Sequence, residues 1–128
     1  MSAEFSFQVE PFRNLVRIRM GGFFTVEDIE AFLAARREAH KQLTCARNQH
    51  VTLNDIRDMK IQSQEIVDAF RAMLAGPDYR SRRLAFVVSP TLARTQLVRA
   101  VAGRDVRFFE DILLAEAWLL SDADARAA

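Results

Sequence analysis

The stretch VTLNDIRDMKIQSQEIVDAF, residues 51–70, decides the fold that this sequence predicts. Apolar and polar residues alternate at the start of residues 51–56, and several of these residues are β-branched, which is typical of a strand. A polar turn follows them. A helix begins near Ser63 and ends at Gly76-Pro77, with an apolar stripe at i, i+4 spacing formed by Ile66, Val67, Phe70 and Leu74. In α/β domains, a strand–turn–helix unit of this kind places ligands or partner contacts at the carboxyl end of the strand.

Two polar residues, Thr52 and Asn54, interrupt this strand, which is less apolar than a strand buried on both faces should be. Buried polar groups need hydrogen-bond partners. Either one face of the strand opens onto a pocket, or these two side chains have buried partners.

The chain before this unit predicts a hairpin and a helix. Apolar residues alternate over residues 5–9 and again over residues 16–20, so a turn between them gives two antiparallel strands. Gly21 and Gly22 end the second strand. Thr25 and Asp28 resemble a capping box, and helical spacing continues to about Leu43.

The chain after it predicts two more strands and two more helices. Residues 84–88 form a continuous apolar run, the best candidate for a central strand. Ser89-Pro90 starts a helix that Gly103 closes, residues 106–109 form a short strand, and a last helix begins near Asp111.

This order, β-β-α-β-α-β-α-β-α, predicts an α/β fold. We expect a single mixed, mostly parallel five-stranded sheet with four helices and right-handed crossovers. Residues 1–121 form one domain, and the small, polar residues 122–128 are expected to fray as a C-terminal tail.

Composition excludes several classes of protein. The chain has 128 residues and a net charge of +1, so no overall charge draws it to nucleic acid. It lacks a secretory signal and an apolar run long enough to span a bilayer. Its single cysteine, Cys45, fits a reducing compartment. We therefore expect a cytoplasmic domain with no nucleic-acid partner.

Several short motifs resemble the STAS superfamily, specifically its bacterial SpoIIAA-like branch, which is grouped with Sec14-like lipid-binding domains. They are Asp55-Ile56-Arg57 at the end of the third strand, the helix start at Ser63, and the closing strand 106–109 followed by Ala115, Trp118 and Leu119. The resemblance covers nearly the whole chain. It implies a SpoIIAA-like fold and a non-enzymatic regulatory or protein-interaction module with an unknown protein partner.

The resemblance also implies a switch. In the antagonist members of the family, a partner kinase phosphorylates a serine at the start of this helix, and Ser63 is the matching residue. Here Gln62 stands where the family has an acid, so Ser63 as a simple N-cap remains the alternative. The expected partner-binding or switch residues are Asp55, Arg57, Asp58 and Ser63. The two aspartates also suit a second role, in which they satisfy nearby backbone N–H groups.

A second hypothesis is a lipid-binding or small apolar ligand-binding domain. Phe23 and Phe24 follow two glycines, and Arg17 and Arg19 lie on the preceding strand. An apolar tip with basic neighbours can associate peripherally with an anionic membrane surface or line a pocket mouth. Alternatively, one phenylalanine acts as a hydrophobic staple for the helix that begins at Thr25.

No pattern predicts an enzyme, a cofactor or a metal. The four glycines are scattered, so neither a dinucleotide site nor a P-loop is formed. His40, Cys45 and His50 match no tight zinc motif, and no catalytic nucleophile–base pair can be assembled. Apolar positions without an assigned role leave a homodimer open.

Overall fold

The computed structural model describes residues 2–90 and 106–121, and these residues contain five strands and three helices. The strands are β1 (Glu4–Glu10), β2 (Leu15–Gly22), β3 (Val51–Met59), β4 (Arg83–Val87) and β5 (Val106–Phe109). The helices are α1 (Val26–His40), α2 (Gln64–Ala75) and α3 (Ile112–Leu119). The third predicted helix, which starts at Ser89-Pro90 and closes at Gly103, lies outside the described residues apart from its first two positions. The predicted tail 122–128 lies outside them as well.

The predicted mixed, mostly parallel five-stranded sheet is confirmed. Its strand order is β1-β2-β3-β4-β5, with β1 antiparallel to β2 and the remaining neighbours parallel. β3 occupies the middle of the sheet and continues three residues beyond the predicted Ile56. The apolar run 84–88 forms most of β4, an interior strand that is buried along its whole length. Asn54 lies in register between Ile18 of β2 and Phe86 of β4. A polar side chain thus occupies the middle of the sheet.

The two faces of the sheet carry separate apolar cores. The larger core packs β2, β3 and β4 against α1 and α2, with Phe32 and Phe70 among its buried residues. The smaller core packs the opposite face against α3 through Ala115 and Leu119. Because side chains alternate along a strand, Thr52 and Asn54 face α1 and α2, whereas Asp55 faces the α3 side.

Local sequence signals set the helix starts. The Thr25 hydroxyl accepts a hydrogen bond from the Asp28 N–H at 3.2 Å, and the Asp28 carboxylate accepts one from the Thr25 N–H at 2.8 Å. This is the predicted capping box. The Ser63 hydroxyl caps α2 by accepting from the Ile66 N–H at 3.3 Å, and Asp111 caps α3.

Candidate functional site

At the carboxyl ends of the strands, three predicted site residues lie on the α3 side of the sheet in ion pairs. Arg57 donates two hydrogen bonds to the Asp55 carboxylate, at 2.9 and 2.7 Å. Asp58 pairs with Arg19 of β2. These residues form a charged cluster in which each acid already has an arginine partner.

Asp55 is the buried member of that cluster, with 8% of its surface exposed. Burial alone would raise the pKa of its carboxyl, but hydrogen bonds from the side chain and backbone of Arg57 outweigh burial and lower the pKa below its usual value. Asp55 is therefore ionised at neutral pH and stays bound to Arg57. This geometry gives Asp55 the structural role that sequence offered as its alternative.

Ser63 lies apart from this cluster, at the exposed N-terminus of α2. No hydrogen bond or ion pair in the described structure joins Ser63 to Asp55, Arg57 or Asp58. The structure therefore divides the four predicted residues into a charged cluster and a separate helix start.

Gln62 directly precedes Ser63 and is buried. Its side chain is 7% exposed and joins two loops. The amide nitrogen donates to the carbonyls of Gly22, at 2.9 Å, and Lys60, and the amide oxygen accepts from the Phe24 N–H at 2.9 Å. A carboxylate could not make the two donated bonds. The sequence gave no sign of this role, because two of the three partners, Gly22 and Phe24, lie about 40 positions away.

Three exposed apolar side chains surround the N-termini of α1 and α2. Phe23 is 47% exposed, and Val26 and Ile61 are each 49% exposed. The Lys60 N–H donates to the Gly22 carbonyl at 3.2 Å, so the segment carrying Ile61 runs beside the segment carrying Phe23. We call Phe23, Val26, Ile61 and Ser63 the Ser63 surface.

The predicted membrane-facing residues do not come together. Phe24 is buried in the larger core against Phe5 and Phe32, while Phe23 stays exposed. Arg17 binds two acids, Glu10 and Glu116. Arg19 is likewise paired, with Asp58, on the α3 side of the sheet. Of the four residues expected to touch a membrane, only Phe23 belongs to the Ser63 surface.

A polar network lies at the opposite, amino ends of β3 and β4. The Thr52 hydroxyl is 2.6 Å from the Ser81 hydroxyl, which is 3.3 Å from Nε2 of His50. Nε2 of His50 is 3.2 Å from Nε2 of His40, and Nδ1 of His40 lies 2.8 Å from a backbone carbonyl oxygen in α1. Thr52 thus has a hydrogen-bond partner in the partly buried Ser81, and it also lines a cavity beside the sheet.

Burial lowers the pKa of both histidines in this network. For His50, burial and then the nearby charge of His40 lower the pKa to about 4. For His40, burial is again the largest cause. Both imidazoles are therefore neutral at neutral pH. The sequence placed these histidines ten positions apart and gave no sign that they touch.

Arg36 and Tyr79 cover this network from the α1 side. The guanidinium carbon of Arg36 lies 4.8 Å from the centre of the Tyr79 ring. Tyr79 has a φ of 59°, a left-handed conformation that is uncommon for an aromatic residue. That conformation places its ring between Arg36 and His40, whose ring centre is also 4.8 Å away.

Comparison with known proteins supports the fold. No protein-family model matches the chain, and no curated protein matches it. A crystal structure of an uncharacterized protein from the DUF3478 family, from Shewanella loihica PV-4, is similar and is described as having a SpoIIAA-like fold. The identity is 20%, the TM-score is 0.65, and the match covers 92% of this chain and 93% of that one. This chain has a SpoIIAA-like fold.

Two features of the described residues bear on other functions. No group of three His, Cys, Asp or Glu side chains within residues 2–90 and 106–121 is arranged to hold a metal ion. His40, Cys45 and His50 nevertheless line one cavity, although their sequence spacing did not suggest it. Among the helices described, none has both the length and the apolar character needed to cross a membrane.

Proposed function

We propose that this chain is a non-enzymatic, STAS-like protein-interaction module, and that the Ser63 surface contacts its protein partner. The observation that carries the proposal is that three exposed apolar side chains, Phe23, Val26 and Ile61, lie at the starts of α1 and α2, where Gln62 joins the two preceding loops. Ser63, at the start of α2, is also exposed. Grouped apolar side chains on a surface are typical of interaction sites.

The Ser63 surface is held in place before any partner binds. Gln62 ties the loop before α2 to the loop before α1, and Phe24 anchors the latter in the core. A preorganised surface loses little conformational entropy on binding. The charged cluster of Asp55, Arg57 and Asp58 lies at the same end of the sheet and would form part of a polar rim.

Phosphorylation of Ser63 would control this contact. The free N–H groups and the dipole at the start of α2 favour a phosphate there, so the modified chain stays folded. The phosphate adds about two negative charges beside apolar side chains that must lose water to bind. We therefore expect phosphorylation to weaken partner binding.

The test is a pull-down from the source cells with the tagged chain, quantified by mass spectrometry. Ser63→Glu and Ile61→Asp should each reduce capture of the partner at least several-fold, whereas Ser63→Ala should retain it. Gln64→Glu adds the same charge one residue further along α2 and serves as the matched control, with little effect. Equal capture by the wild type, Ser63→Glu and Ile61→Asp would refute the proposal.

The same experiment needs a measurement of self-association. Sedimentation velocity of the purified chain shows whether the partner is a second copy. A homodimer that Ile61→Asp disrupts would show that the partner is a second copy of this chain. If the purified chain is a monomer, the partner is the protein captured in the pull-down.

The alternative function, binding of a lipid or an apolar small molecule at a membrane surface, rests on the exposure of Phe23. The cavity between the sheet and α2, lined by Met20, Ile56 and Phe70, has a volume of only about 20 Å³. That is room for about one water molecule and not for an acyl chain. Because Arg17 and Arg19 are paired, we expect no co-sedimentation with anionic vesicles at low salt and no co-purified lipid in native mass spectra. Co-sedimentation with these vesicles, or a lipid in the native mass spectra, would favour the alternative.

A further inference from the structure

β1 forms an outer edge of the sheet, and within residues 2–90 and 106–121 no strand pairs with its outer side. A strand at an edge presents a row of backbone N–H and C=O groups that have no partners in the sheet. β1 is seven residues long and pairs with β2 along its whole length without a shift in register. Its outer side is therefore a long, regular template for another strand.

β1 lacks the features that usually protect such an edge. Proteins avoid edge-to-edge pairing with prolines, lysines, bulges or very short edge strands. The sequence of β1 is EFSFQVE, which contains neither proline nor lysine, and its two charged residues, Glu4 and Glu10, stand at its ends. Nothing in the strand itself therefore opposes pairing through its middle.

The larger core ends at β1 in apolar side chains that are not fully covered. Three of them pack against this core but stay partly exposed: Phe5, Phe7 and Val9. Their partners across β2 are at most 6% exposed. A strand added beside β1 would cover this apolar edge, and removing apolar surface from water stabilises an assembly.

β1 also has the pattern that the added strand needs. Its apolar residues face α1, whereas Ser6 and Gln8 lie on the opposite face and are exposed. Two copies of β1 that pair antiparallel about a two-fold axis normal to the sheet keep like faces together. The same surface of each copy then meets itself, as in most homodimers.

We propose that this chain forms a homodimer in which the β1 strands of two copies pair antiparallel, with Ser6 opposite Ser6 of the second copy. Charge selects this register. Pairing centred on Phe7 would place Glu4 opposite Glu10, and like charges directly opposite each other destabilise a strand pair. Centred on Ser6, the pairing places Glu4 opposite Gln8. The dimer uses none of the residues of the Ser63 surface.

Sedimentation velocity of the purified chain tests the dimer, which should have about twice the mass of the 14.6 kDa chain. Ser6→Lys and Ser6→Glu should each raise the dissociation constant of the dimer about five-fold or more, because like charges meet at the axis. An equal mixture of the two variants should restore a dimer that contains one copy of each. Gln8→Lys is the matched control, and it should not weaken the dimer because its lysine lies opposite Glu4. Ile61→Asp should leave this dimer intact.

Disulfide cross-linking tests the register independently of charge, in a chain that carries Cys45→Ser. With oxidised glutathione, Ser6→Cys should form a covalent dimer, because opposite Cα atoms in an antiparallel pair lie about 4.5–5.5 Å apart, within reach of a disulfide. Gln8→Cys is the control and should not cross-link, since its two copies would lie about 14 Å apart.

Three results would overturn the proposal. They are a monomeric wild type, a dimer that Ile61→Asp disrupts and the Ser6 variants do not, and equal cross-linking of Ser6→Cys and Gln8→Cys. The second result would assign self-association to the Ser63 surface instead of to β1.

Discussion

Replacement of Gln62 by alanine tests how the Ser63 surface is built. In the wild type, the Gln62 amide donates to the carbonyls of Gly22 and Lys60 and accepts from the buried Phe24 N–H. In Gln62→Ala, the Phe24 N–H loses its partner inside the protein. The Gly22 carbonyl keeps the hydrogen bond from the Lys60 N–H, so the variant loses less free energy at this carbonyl than at the Phe24 N–H.

These contacts set the size of the effect. An unsatisfied buried N–H costs about 1–3 kcal/mol, and each lost hydrogen bond contributes about 1 kcal/mol net. Gln62→Ala should therefore lower the free energy of unfolding by about 3 kcal/mol. For a chain of 128 residues, an unfolding entropy of about 2.1 cal/mol/K per residue converts this loss into a Tm lower by about 10 °C.

Urea unfolding and differential scanning calorimetry measure both quantities. Gln64→Ala is the matched control, because Gln64 is exposed and bonds only to Asp68 on the same helix. We expect a change of at most about 0.5 kcal/mol there. Gln62→Glu, which places an acid before Ser63, should destabilise the chain at least as much as Gln62→Ala, since its carboxylate would face two carbonyl oxygens. Equal stability of Gln62→Ala and Gln64→Ala would refute this reasoning.

Three further predictions concern the histidine pair, the larger core and the end of β2. Because the pKa of His50 is lowered to about 4 whereas an unfolded histidine titrates near 6.5, protonation favours the unfolded chain. The free energy of unfolding measured in urea should be constant above about pH 6.5 and should decrease as the pH is lowered towards 4. This decrease should be smaller in His50→Gln. Phe24→Ala should cost about 3–5 kcal/mol in the same assay, and Phe23→Ala less than 1 kcal/mol; equal costs would contradict the burial of Phe24. Gly22 has a φ of 78°, and in Gly22→Ala the new Cβ would lie 2.2 Å from a backbone oxygen. The Tm of Gly22→Ala should therefore fall well below that of Gly76→Ala, in which the atom nearest to the new Cβ is 3.5 Å away.

Part of the candidate site could be predicted from sequence because it depends on near neighbours. Ser63 caps α2 through an N–H three residues ahead, and Asp55 meets Arg57 because alternate residues share a face of a strand. Sequence also showed that Thr52 and Asn54 needed an explanation. It could not show which of the two proposed outcomes each side chain has. Thr52 has a hydroxyl partner, whereas Oδ1 of Asn54 is buried without one.

The sequence alone determined the order of the strands and helices that the structure describes, because periodicity, capping and turn residues act over a few positions. The SpoIIAA-like fold was predicted from the resemblance of short motifs to a family. The tertiary structure alone decided which side chains meet across the fold. It buried Phe24 and exposed Phe23, paired Arg17 with Glu116, and joined two histidines to Ser81. Those contacts depend on how the elements pack, which no local pattern encodes. The polar network at the amino ends of β3 and β4 and the Ser63 surface exist only because strands and helices distant in sequence come together.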